Sequence, residues 1–274
     1  MGSSLHLTRR LTRRFFAVAA ILALSAAGNT QQPQSAAPAV APAMAAPQAG
    51  YTFASPQTLT FTVDWRVFTA GQAVFRLENV NGQMKVTATA DTLGAVNMLY
   101  PVSDKYQSSF DAHTGCSASF SKQIQEGRRK VNTDLTFNSA AGKQMLFERN
   151  LIKGNTKQQE APIPACVTDS LSAIFYAASQ PIVVGQNITL LLADSMRVVP
   201  ITMKAEAKEE IKTPAGTFQT IRVQPTADAG IVKNRGNIWI WYTDDARHLP
   251  VQIRAHLPLV FGTITFHLQS VETK

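Results

Sequence analysis

From Gln57 the chain alternates between apolar and polar side chains, and that two-residue period is the feature that most limits what it can become. Leu59, Phe61, Val63, Trp65 and Val67 fall on one face, with Thr60, Thr62, Asp64 and Arg66 on the other. Such a run reads as a strand buried on one side. Ala70-Gly71 is the expected turn, after which Ala73, Phe75 and Leu77 alternate on the way back. Asn81-Gly82 is a strong two-residue hairpin signal. Beyond it Met84, Val86, Ala88 and Ala90 alternate with Lys85, Thr87, Thr89 and Asp91. Three strands of an antiparallel meander follow from this stretch alone.

The same logic carries to the C-terminus. Strands are expected near 102–112, 116–125, 128–137 and 143–149, punctuated by Thr114-Gly115, Glu126-Gly127 and Ala141-Gly142. Further strands are expected over 187–193, 196–212, 217–226, 236–243, 248–257 and 261–272, with Pro214-Ala215-Gly216 as a tight turn. Ile238, Trp239, Ile240 and Trp241 are apolar at successive positions, which suits a strand buried on both faces. Leu93 to Tyr100 reads as a single helical turn stopped by Pro101. One amphipathic helix stands out. Thr168-Asp169-Ser170 supplies capping residues, Leu171, Ile174, Phe175 and Ala178 form the apolar stripe, and Gln180-Pro181 ends it. The expected fold is therefore mainly β: an antiparallel meander forming a curved open or closed barrel, with the helix over one face or mouth. A two-sheet sandwich is the alternative, because both architectures read as alternating strands.

The formal charge of +8 suggests nucleic acid until it is located. Arg9, Arg10, Arg13 and Arg14 supply four of those charges, so the chain after residue 27 carries 8 − 4 = +4, spread rather than gathered into a stripe. Nucleic acid is thus not an expected partner. The four arginines form a basic n-region before the apolar run Phe15 to Leu24, and Ser25, Ala26 and Ala27 offer a cleavage site. Residues 1–27 are expected to be a signal peptide, since the apolar run is too short to span a bilayer. Thr12-Arg13-Arg14-Phe15-Phe16 resembles the twin-arginine pattern, although Sec export is the preferred route. Residues 28–54, rich in Ala and Pro, are expected to form a disordered linker. Residues 55–274 form a single β domain, placed in the periplasm or outside the cell.

Cys116 and Cys166 are the two cysteines. In an oxidising compartment they are expected to form one disulfide. Chemistry is harder to find. Among His6, His113, His248, His256 and His267 no pair has metal-ligand spacing, and no zinc motif, serine elbow, P-loop or dinucleotide fingerprint occurs. Glu209-Glu210 and Asp244-Asp245 are sequence neighbours, which on a strand face opposite ways and make poor acid–base pairs. No catalytic residue, metal or cofactor is expected. Asp169 is the polar residue of most interest, as a helix cap or as a contact at a cavity mouth.

From Leu59 onward the chain resembles the bacterial exported family called domain of unknown function 3108. Trp65 with Ala70-Gly71, Asp169-Ser170-Leu171-Ser172-Ala173 with Phe175-Tyr176, Thr213-Pro214-Ala215-Gly216-Thr217-Phe218, and Trp241 to Pro250 carry the likeness. Phe261-Gly262 with Leu268 closes it; Tyr242-Thr243 departs from the small polar pair of the pattern. The resemblance implies a periplasmic or surface β domain and no particular activity. Three functions are open: a module binding an apolar or lipid-like ligand, an envelope assembly or structural protein with a protein partner, and a hydrolase acting on envelope polysaccharide or lipid.

Overall fold

Fourteen strands hydrogen-bond side by side in the computed structural model, which describes residues 44–229, 232–233, 237–257 and 262–273. The expected signal peptide and residues 28–43 of the expected linker lie outside the described residues. The first half of the sheet is a plain meander: β1 (Gln57–Trp65), β2 (Phe68–Val80), β3 (Gln83–Thr92), β4 (Ser103–Asp111), β5 (Ser117–Glu126), β6 (Arg129–Asn138), β7 (Lys143–Asn150) and β8 (Thr156–Pro162). The second half is β9 (Asn187–Asp194), β10 (Arg197–Thr213), β11 (Gly216–Thr226), β12 (Asn237–Thr243), β13 (Pro250–Leu257) and β14 (Gly262–Thr273). Sheet order is β8-β7-β6-β5-β4-β3-β2-β1-β14-β13-β12-β11-β10-β9, so β14 returns beside β1 and joins the two meanders. The sheet is open, with β8 and β9 at its edges and no closing pair between them. This selects the open barrel-like form over both the closed barrel and the sandwich.

Two short helices accompany the sheet among the described residues: α1 (Gly94–Leu99), over the expected helical turn, and α2 (Ser172–Ala178), at the expected amphipathic helix. α2 lies in the concave side with Phe175, Tyr176, Ala177 and Ala178 buried. Its two faces serve two apolar clusters. Phe175 packs with Phe61, Phe75, Phe110, Phe120 and Leu135, whereas Tyr176 packs with Leu190, Ile201, Met203, Val223 and Tyr242. Edge-on ring contacts, Phe61 to Phe75 at 5.4 Å and Phe75 to Phe175 at 6.5 Å, join the strand faces to the helix. Strand β9 is buried on both faces: Leu190 and Leu192 meet the Tyr176 cluster, and Leu191 and Ala193 the Phe110 cluster. One end of the open sheet is thus tucked against the inner face of the other.

Two local expectations change. Ala70-Gly71 is not a turn; the chain reverses at Arg66-Val67, with Trp65 opposite Phe68 and Arg66 in the left-handed region at φ 57°. Gly71 lies within β2, where a Cβ would collide with the Asp91 carbonyl oxygen. Its role is close strand approach. The stretch 28–54 also differs in its described part. Residues 44–54 form a strap along the domain: Gln48 N–H donates to Ser179 O, Tyr176 Oη–H to Ala45 O, and Gln180 Nε2–H to Ala46 O. Phe53 is buried against Phe110, ring centroids 5.3 Å apart.

Candidate functional site

The segment from Ile163 to Leu171 crosses between the two ends of the sheet and gathers the groups singled out above. Cys166 is joined to Cys116 by a disulfide, with Cα atoms 5.1 Å apart. Next to it, Val167 O accepts from Ser117 N–H of β5 at 2.8 Å. Thr168 then pairs with the free edge of β9, donating its N–H to Leu191 O at 2.7 Å and accepting from Ala193 N–H at 2.8 Å. Three consecutive residues therefore bind β5 on one side and β9 on the other. A covalent bond and a strand-like clasp hold the open sheet in its curve.

Asp169 follows at once and is fully buried. Its Oδ1 accepts from the backbone N–H groups of Leu171 and Ser172 at 2.8 and 2.9 Å, and its carbonyl accepts from Ala173 N–H at 3.0 Å. These are capping bonds, although the regular helix begins only at Ser172. Oδ2 turns to the strands, accepting from Ser108 Oγ at 2.6 Å and Ser117 Oγ at 2.7 Å. Ser117 and Ser172 hydroxyls lie 2.7 Å apart and close the knot. Burial pushes the Asp169 carboxyl above the ordinary carboxylate range, against the pull of its donors. Of the two roles weighed for Asp169, the cap is the one its bonds make; the carboxylate meets no solvent at a mouth.

The remaining candidates scatter. His113, exposed, follows Asp111 in a turn, and its backbone N–H donates to Asp111 Oδ1. His256 Nδ1 lies 3.1 Å from Thr263 Oγ1, His267 Nε2 3.5 Å from Asp64, and His248 Nδ1 2.8 Å from Ala178 O. Among the described residues no three His, Cys, Asp or Glu side chains converge as metal ligands would. Glu209 binds Arg222 and Trp241 Nε1, and its neighbour Glu210 binds Gln219. Asp244 pairs with Lys208 at 2.5 Å and Asp245 with Arg247 at 2.6 Å. Both carboxylate pairs thus point apart, Glu209, Asp244 and Asp245 into separate ion pairs and Glu210 to a neutral amide.

A cleft of about 430 Å³ opens beside the strap, lined by Gln48 to Tyr51, Pro181 to Val183, Asp244 to Ala246 and His248. Burial raises the Tyr51 hydroxyl to about 12, so it stays protonated and donates to Arg247 O at 3.4 Å. Burial lifts the Asp245 carboxyl, but the Arg247 and Thr243 bonds outweigh this and hold it below the usual range. A smaller recess of about 170 Å³ lies between β4–β6 and the end of β9, beside Tyr106, Phe120 and Leu192. Sequence reasoning did not find Ser108 and Ser117, which join Asp169 from strands more than fifty residues away.

A family model described as "Protein of unknown function (DUF3108)" matches residues 60–269. A comparison with curated proteins gives no match. Among solved structures, a β-barrel-like protein of the domain of unknown function DUF1849 from Brucella abortus superposes with a TM-score of 0.53 at 11% identity, covering 81% of this chain and 99% of that one. A protein described as exported, with a YmcC-like fold, from Bacteroides fragilis gives 0.37 at 10% identity, covering 81% and 98%. A protein described as a lipoprotein from Parabacteroides distasonis gives 0.35 at 8% identity, covering 81% and 97%. At these identities the first likeness shows the barrel-like fold alone.

Proposed function

We propose, for a chain that belongs to the DUF3108 family of proteins of unknown function, that it is a non-catalytic protein of the cell envelope that works by binding at its outer surface. The observation that carries this reading is the filled concave side. α2 and the Phe61, Phe75, Phe110 and Phe175 rings occupy the space that a carrier of apolar ligands would leave open. The disulfide agrees with a place outside the cytoplasm, where such bonds persist.

A hydrolase would need polar groups converging where substrate can reach them. Asp169 has its partners but no access, and the carboxylates that line the cleft, Asp244 and Asp245, are engaged with Lys208 and Arg247. The described polar clusters hold the fold together.

Native mass spectrometry of the protein purified from cell envelopes, followed by organic extraction, tests this. A mass equal to the chain alone, unchanged by added lipid monomers, is the expected result. A stoichiometric apolar molecule, lost when Phe61 or Phe175 is replaced, would restore the interior carrier and overturn the surface reading.

A further inference from the structure

Antiparallel order sorts the connections by end. The hairpins after β1, β3, β5 and β7 open on one rim, and those after β2, β4 and β6 on the opposite rim. The second rim carries the turn residues that water favours: Asn81-Gly82, Thr114-Gly115 and Ser139 to Gly142. The first rim has Gly127 and Gly154-Asn155 of this kind, but its other tip residues are largely apolar. Its β1–β2 tip is Trp65-Arg66-Val67-Phe68, with Val67 85% and Phe68 66% exposed. Its β3–β4 connection holds α1, which buries none of its residues and leaves Met98 and Leu99 each 86% exposed. The β7–β8 tip adds exposed Leu151 and Ile152.

These tips form one continuous surface. Leu93 N–H donates to Ala70 O and ties α1 to β2; Gly127 N–H donates to Pro101 O, and the Tyr100 ring lies 3.2 Å from where a Cβ on Gly127 would stand. Leu151 N–H reaches Lys130 O and brings the β7–β8 tip alongside. Cations flank the apolar groups: Arg66, Arg128 and Lys153 stand exposed at the β1–β2, β5–β6 and β7–β8 tips, and the β3–β4 tip between them is uncharged. The Arg66 guanidinium lies 5.6 Å from the centre of the Trp65 ring. Of the neighbouring carboxylates Glu126 is ion-paired with Arg129, while Asp64 and Asp91 accept from the Thr69 and Ser103 hydroxyls and keep their charge.

We infer that this rim docks on the surface of an anionic phospholipid bilayer. The inference rests on the surface-binding reading and names its partner. Exposed Trp, Tyr, Phe and Leu set among Arg and Lys match the headgroup region, where aromatic rings and chain ends find apolar depth and cations find phosphate. The positive tips select a negatively charged membrane over a neutral one, each cation near the surface adding roughly five-fold to the affinity. Apolar tips flanked by cations along one rim suit an anionic lipid surface.

Flotation of the whole protein with vesicles of phosphatidylcholine, alone or mixed with phosphatidylglycerol, tests the assignment. Binding is expected to the mixed vesicles and to weaken at high salt. Brominated acyl chains should quench Trp fluorescence, and the quenching should vanish in Trp65→Phe, which keeps the other two tryptophans. Phe68→Glu with Leu99→Glu, both at exposed positions, should reduce the bound fraction at least ten-fold, while Val80→Glu at the opposite rim should not. Equal binding to neutral and anionic vesicles, or wild-type binding by the double variant, overturns the inference. A photo-crosslinker at position 68 that captures an envelope protein, with no vesicle binding, overturns the lipid partner and leaves the surface reading intact. Recovery of an interior ligand would overturn that reading itself.

Discussion

Replacing Asp169 separates its structural role from any other. Asp169→Ala removes the acceptor of four donors. Ser117 keeps Ser172 Oγ as a neighbour, but Ser108 Oγ and the N–H groups of Leu171 and Ser172 are left in the core without the carboxylate. A stranded buried donor costs about 1 to 3 kcal/mol, so three of them cost about 3 kcal/mol even at the lower end. That is a large share of the roughly 5 to 15 kcal/mol that holds a domain folded. Asp169→Asn should cost much less, because the amide oxygen can still cap α2 while the serine hydroxyls rotate to accept from its NH₂. The two variants also differ from wild type in pH response. Burial raises the Asp169 pKa, so the folded state holds that proton more tightly than the unfolded chain does. Stability from this group therefore declines as pH climbs from the ordinary carboxylate value to the raised one, and is level above it. Asp169→Asn removes that slope. Urea unfolding followed by Trp fluorescence, repeated from pH 4 to 8, measures both effects. An Ala variant within 1 kcal/mol of wild type, or an Asn variant as damaged as the Ala one, would refute the account of the knot.

Three further outcomes follow from other contacts. Cys116→Ala with Cys166→Ala opens a loop of 50 residues, which the chain-entropy model values at up to about 4 kcal/mol, and urea midpoints of the two forms check it. Gly71→Ala should destabilise by about 1 to 3 kcal/mol through its clash with the Asp91 carbonyl, whereas Gly82→Ala, at φ 81° with open space around it, should cost about 1 kcal/mol from backbone strain alone; thermal unfolding of the pair ranks them. Burial first, and Arg254 after it, lower the His267 pKa against the pull of Asp64. Its contribution is therefore present above the ordinary imidazole pKa and is lost as pH falls through it, so His267→Gln should flatten stability between pH 7 and 5.

Most of the strand pattern was legible because one face of each strand is buried, which writes a period of two into the sequence. β8 escaped for the same reason: nearly all of Thr156–Pro162 is exposed, so no alternation was imposed on it. The Arg66-Val67 turn was hidden because its apolar tip continues the alternation of β1 instead of breaking it with Gly or Asn. The strap at 44–54 read as linker because backbone carbonyls of Ala45 and Ala46 make its contacts, and composition does not report these. Tyr51 and Phe53 were the available signal. Asp169 was legible as a cap from its place before the helical stripe. Its strand partners were not, since no local pattern joins Ser108 or Ser117 to a residue more than fifty positions away.

The clasp at Thr168 also limits how copies of this sheet can associate. An open sheet ordinarily offers two edges, and a molecule with two live edges can add strands without end. Here β9 is tucked inward with Thr168 already paired to its middle, which among the described residues leaves β8 as the live edge. Two copies meeting there would use up both their live edges in one two-fold contact, and growth would stop at the pair.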